Sequence, residues 1–94
     1  MQYIPVPPDA TLKECDAAFA RAENAWGEWS NRPAEARAQI LEKIAELYEC
    51  HESEFISLCV FEARKTVADA ISEVREAVDF CRYYANEARR ISLP

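Results

Sequence analysis

Ninety-four residues, half of them apolar and 30% charged, make one small domain or a piece of one, and neither share suggests disorder. A formal net charge of −6 supplies no basic stripe, which argues against a nucleic-acid partner and an anionic membrane surface, and no apolar run approaches the roughly 20 residues of a membrane span. One glycine in the whole chain, against a usual share of about 7%, argues against strand-rich folds and glycine-rich phosphate loops, so the fold is expected to be all-α.

Residues 1–8, MQYIPVPP, hold three of the five prolines and read as an extended leader laid over a surface. They lack a basic stretch followed by an apolar core, so no secretory signal is expected and a cytoplasmic chain is the default. Residues 9–94 read as a single helical segment. Its first helix is expected over about 9–29, with Asp9 or Thr11 as N-cap; Thr11 with Glu14 three residues later fits a capping box. Leu12, Cys15, Phe19, Ala22, Trp26 and Trp29 step by three and four, and the tryptophans are expected to pack in a core. Gly27 falls between them and is expected to loosen or end the helix.

Ser30-Asn31-Arg32-Pro33 reads as a linker, with Pro33 in the first turn of a helix over about 33–50. Its expected apolar face is Ile40, Ile44 and Leu47 with Leu41 and Tyr48. Cys50-His51-Glu52-Ser53 offers no apolar anchor and reads as a bend. A shorter helix over 53–63 would bury Phe55, Ile56, Leu58 and Cys59. Cysteines at 15, 50, 59 and 81 form no C-x-x-C pair, and His51 is the one histidine; these spacings disfavour zinc, and the thiols read as small apolar residues rather than disulfides.

The last helix, about 66–91, is the longest. Val67, Ile71, Val74, Val78, Cys81, Ala85 and Ala88 alternate steps of four and three, marking one side of a rod of about six turns. Ala63, Ala70, Ala77, Tyr84 and Ile91 form a second row beside them. Glu73, Arg75, Asp79, Arg82, Glu87 and Arg89 mark the other side, with Arg75 and Asp79 spaced to pair at i,i+4. The whole is expected as three or four antiparallel helices with short connections.

The same stretch carries a resemblance. FEARKT followed by a helix and then FCRYYA resembles the aldehyde dehydrogenase segment E-x-G-K-T/P, helix, F-x-R-Y-Y-A. EVREAVDFCRYYA is most similar to the glutamate-semialdehyde (pyrroline-5-carboxylate) dehydrogenase module of bacterial proline utilization A, a bifunctional flavoenzyme family of proline catabolism. The similarity covers about residues 9–91. It implies the leading helical fragment of the α/β nicotinamide-binding domain, with NAD, and FAD in a bifunctional parent, as cofactors of the larger enzyme. The family's nucleophilic cysteine lies in a glycine-rich loop, which a single glycine cannot supply. No catalytic, cofactor-binding or metal-binding residue is therefore assigned in this chain, and no activity is expected of it alone. Counting back six residues from Arg82 reaches Glu76, where glutamate-semialdehyde dehydrogenases place an acid that meets the substrate's ammonium group. A carboxylate there pairs an α-amino group and disfavours plain alkyl aldehydes. Ser72, one turn earlier, is the second candidate. Glu62-Ala63-Arg64-Lys65 departs from E-x-G-K, so either the turn is rebuilt around Arg64 or the third and fourth helices fuse.

Two functions follow. One is an enzyme piece completed by the rest of the dehydrogenase chain. The other is a small acidic helical module that self-associates through the apolar Val67–Ala88 face.

Overall fold

In the computed structural model, residues 7–93 are described, and they contain four α-helices: α1 (Leu12–Asn31), α2 (Ala34–Cys50), α3 (Glu52–Ala63) and α4 (Val67–Ile91). Most of the proline-rich leader, residues 1–6, lies outside the described residues. The chain divides into two compact units, Met1–Pro33 and Ala34–Pro94, where the periodicity alone treats 9–94 as one segment.

The first unit contains α1. Thr11 caps it as the S/T-x-x-E pattern predicts: the Glu14 backbone N–H donates to Thr11 Oγ1 at 3.1 Å, and the Glu14 carboxylate accepts from the Thr11 N–H at 3.5 Å. Gly27 does not end the helix. Asn31 Nδ2 donates to the Gly27 carbonyl at 2.8 Å and Ser30 Oγ donates to it at 3.3 Å, so side chains placed in the linker instead prolong the last turn. The expected core role of the tryptophans is also corrected: no residue of α1 is buried, with Trp26 67% and Trp29 39% exposed. Arg32 closes the unit, 3.0 Å from Glu28 and with its guanidinium 5.8 Å from the Trp29 ring centre.

In the second unit α4 is the spine. Helix α2 packs along it antiparallel, α3 packs against its leading half, and a single non-helical residue, His51, joins α2 to α3. The buried side chains are Ala38 and Ala45 of α2 with Ala70, Val74, Val78 and Ala85 of α4. These are small residues, and small residues let helix axes approach closely. The apolar period on α4 is as expected in Val74, Val78 and Ala85, but Val67 is 60% exposed, and of the second row only Ala70 is buried.

On α2 the expected face is displaced around the helix. Leu41, Tyr48 and Ile40 of that face are half-buried as expected, but Ala38 and Ala45 take its centre, while Ile44 and Leu47 stand 36% and 46% exposed. Size misled the reading: large aliphatics mark the more hydrophobic side, but the alanine side fits the close approach of α4. Phe55, Ile56 and Cys59 of α3 are half-buried as the pattern suggests, with the Phe55 ring 4.8 Å from that of Tyr48, whereas Leu58 is exposed.

Helices α3 and α4 do not fuse. Arg64 adopts φ 55° and ψ 34°, the left-handed conformation that the family glycine would favour, and the Lys65 N–H reaches back to the Cys59 carbonyl at 3.2 Å. Thr66 then caps α4, its Oγ1 accepting from the Asp69 N–H at 3.1 Å, and Arg89 and Arg90 in the last turn favour the carbonyl end of the helix dipole.

Candidate functional site

With 3.6 residues per turn, Ser72, Glu76, Phe80 and Tyr83 share one stripe of α4, on the side opposite Val74, Val78 and Ala85. All four are exposed. Aromatic contacts extend this stripe, with the Phe80 ring 6.2 Å from that of Tyr84, which meets Tyr83 edge-on at 5.1 Å. Among the described residues Glu76 makes no ion pair. One turn back, Glu73 is held by Lys65 at 3.5 Å, so the Lys65-Thr66 motif both starts α4 and occupies a neighbouring carboxylate. The two sequence candidates therefore stand together on an accessible face, which Phe80 and Tyr83 share.

The strongest electrostatic feature lies along the flank of α4 that faces α2. Arg89 donates from Nε to Glu35 Oε2 at 2.6 Å and from Nη2 to Glu35 Oε1 at 2.9 Å. The same guanidinium donates to Glu42 at 2.6 and 3.2 Å. Seven residues earlier, Arg82 pairs with Glu49. The acids Glu35, Glu42 and Glu49 recur every seven residues, as do Arg75, Arg82 and Arg89, so the charges interleave as two helices run antiparallel. Hydrogen bonds from Arg89 hold the Glu35 and Glu42 carboxyls below the ordinary glutamate range, against an opposing push from burial, and Arg90 does the same to Glu87. In return Glu35 and then Glu42 raise Arg89, and Glu49 raises Arg82. Equal heptad spacing of opposite charges on two helices was the available sequence signal. The i,i+4 pair expected between Arg75 and Asp79 does not form within 4.0 Å; instead both line an open cleft of about 390 Å³ with Glu49, Glu52, Val74, Val78 and Arg82. Neither Glu76 nor Ser72 lines that cleft.

Other reactive groups are dispersed. Cys15 and Cys50 are exposed thiols, and Cys59 and Cys81 are half-buried thiols. His51 sits at the bend between α2 and α3 with Nδ1 3.0 Å from the Glu54 carboxylate. Among the described residues no three His, Cys, Asp or Glu side chains are placed to hold a metal ion. A dinucleotide does not fit these residues either: Gly27 lies inside α1, and no strand–turn–helix occurs among them to present backbone N–H groups to a pyrophosphate. No helix of the described residues is long and apolar enough to cross a membrane.

The aldehyde dehydrogenase family profile matches residues 2–93, and the chain belongs to that family. It is 44% identical over 81 residues to the bifunctional protein PutA of Salmonella typhimurium, covering 86% of this chain and 6% of that protein. It is 37% identical to 1-pyrroline-5-carboxylate dehydrogenase 2 of Halalkalibacterium halodurans, over 92% of this chain and 17% of the relative. The alpha-aminoadipic semialdehyde dehydrogenase of the mouse is 33% identical over 90% of this chain and 16% of its own length. The chain thus spans a small part of each of these relatives. No solved structure matches it significantly.

Proposed function

We propose that this chain is the leading helical part of an NAD-dependent dehydrogenase of proline catabolism, cytoplasmic, that oxidises glutamate semialdehyde to glutamate. Glu76 there receives the ammonium group of the substrate, and Ser72 supports it from one turn away. The observation that carries this reading is the outward, unpaired placement of Glu76 on α4, in a chain similar to PutA and to a pyrroline-5-carboxylate dehydrogenase. Completion by more of the same enzyme fits two further features. Large apolar side chains, among them Ile44, Phe61, Phe80 and Tyr84, stand exposed, and the buried Nε of Arg37 has no acceptor.

A charge-assisted hydrogen bond contributes about 1.5–3 kcal/mol, which sets the size of the expected effect. In the intact dehydrogenase carrying this segment, Glu76→Gln should raise KM for glutamate semialdehyde by roughly 10- to 150-fold, with little change in kcat. KM for an alkyl aldehyde of equal length should stay the same. Equal losses on both substrates would remove Glu76 from the ammonium site.

The exposed apolar residues also favour the second reading, a helical interaction module. Its expected surface must change, because Val74, Val78 and Ala85 of the proposed self-association face are covered within the chain by α2 and α3. A partner would instead meet the outer stripe bearing Phe80, Tyr83 and Tyr84.

A further inference from the structure

We propose that the interleaved ladder Glu35–Arg89–Glu42–Arg82–Glu49 selects the register and rotation of α4 on α2, which makes Arg89 and Arg82 positioning residues for the outer stripe of α4. The apolar seam between these helices is poorly suited to that task. Its buried residues are Ala38, Ala45, Ala70 and Ala85 with Val74 and Val78, while the larger Leu41 and Tyr48 are only half-buried, so no large side chain is fully enclosed in a single hole. Sliding α4 by one turn, four residues or about 6 Å, so that Ala70, Val74 and Cys81 take the places of Val74, Val78 and Ala85, replaces small apolar groups by small apolar groups. The ladder has no such tolerance. Arg89 lies between Glu35 and Glu42 and is hydrogen-bonded to both, so a slide of that size in either direction breaks one of its two clasps. Arg82 is bonded to Glu49, and its charge also helps to lower the Glu42 carboxyl, which places it between the next two acids.

Rotation is fixed by the same contacts, because turning α4 about its axis would swing both guanidiniums off the flank of α2. The stripe of Ser72, Glu76, Phe80 and Tyr83 is then held on the far side. Exposed ion pairs contribute little to stability, but choosing between two nearly equal registers needs only a small difference, as charges flanking coiled-coil seams illustrate. The register claim stands without the assignment of Glu76; only the use of the stripe for substrate rests on that reading.

The test uses nuclear Overhauser contacts between the methyl groups of Ala38 and Ala45 and those of Val74, Val78 and Ala85 in the 94-residue chain. The unmodified chain should give a single set. The neutral variant Glu35→Gln, Glu42→Gln, Glu49→Gln should keep its helical circular-dichroism signal but lose the single set, its seam methyl resonances splitting or broadening. Reversing the charges, with Glu35→Arg, Glu42→Arg and Glu49→Arg joined to Arg82→Glu and Arg89→Glu, should restore one set with the original contacts. A neutral variant that keeps the original single set overturns the proposal, as does an unmodified chain without those contacts. If the neutral variant unfolds, the reversed ladder decides: native contacts uphold the proposal, and their absence overturns it. None of these outcomes depends on the Glu76→Gln kinetics, so the two readings fail separately.

Discussion

Arg64 holds a left-handed backbone at φ 55° that a side chain disfavours by about 1–2 kcal/mol, while glycine would reach it without a Cβ clash. Glycine brings its own entropy cost on folding of about 0.5–1 kcal/mol, so Arg64→Gly should leave the second unit about 0.5–1 kcal/mol more stable. A thermal melt followed by circular dichroism should then show a midpoint a few degrees higher; a lower midpoint would mean that the Arg64 side chain contributes more than its backbone costs. Gly27 is the converse case. It has no positive φ, and a Cβ built there meets nothing within 4 Å. Gly27→Ala should therefore strengthen α1 by about 1 kcal/mol, seen as slower amide exchange across Ala22–Ser30. The position of Gly27 in the sequence pointed to a break because glycine alone weakens a helix. What the letter could not convey is that Ser30 and Asn31 both fold back to the Gly27 carbonyl.

At the scale of helices, the ladder predicts an acid response. Glu35 and Glu42 lie below their unfolded values when Arg89 holds them. Groups depressed in this way contribute stability that is complete above the unfolded pKa, about 4.3, and is lost as pH falls through the lower folded value. The α2–α4 pairing should accordingly be indifferent to pH between about 8 and 5 and should loosen below about 4, with added salt producing a milder loosening at neutral pH. Contacts between α2 and α4 methyls followed against pH would check this, and loss beginning near pH 6 would point away from the carboxylates. The order of the helices was legible from apolar periodicity, from the Thr11 cap and from Pro33 at the start of the second helix. The packing of α2 was not, because Ile40, Ile44 and Leu47 draw the eye while Ala38 and Ala45 are buried. Hydrophobicity ranks faces by transfer energy; which face is covered depends also on how near the neighbouring helix comes. Glu76 and Ser72 were legible only through family likeness, since their spacing is that of any solvated helix face.

For the whole molecule, the reactive inventory decides the expectation. The chain belongs to the aldehyde dehydrogenase family and spans a small share of the relatives it matches. Oxidising an aldehyde requires a placed nucleophile, an acceptor for hydride and donors for the developing oxyanion. The described thiols have no histidine or carboxylate hydrogen-bonded to them, and the helices offer no dinucleotide cradle. The isolated chain should form no NADH from glutamate semialdehyde and NAD, measured by absorbance, at any protein concentration tested. Turnover above the uncatalysed rate would show that its residues assemble a reaction centre of their own.

The small-residue seam separates two kinds of tolerance to mutation. Enlarging Ala38, Ala45, Ala70 or Ala85 forces the helix axes apart and acts on folding of the unit itself. Trimming Phe80, Tyr83 or Tyr84 removes little from that packing, because each is more than half exposed. Substitution surveys scored first for folding of this chain and then for activity of an intact dehydrogenase should therefore pick out two nearly separate sets of positions: bulk is forbidden in the first and required in the second.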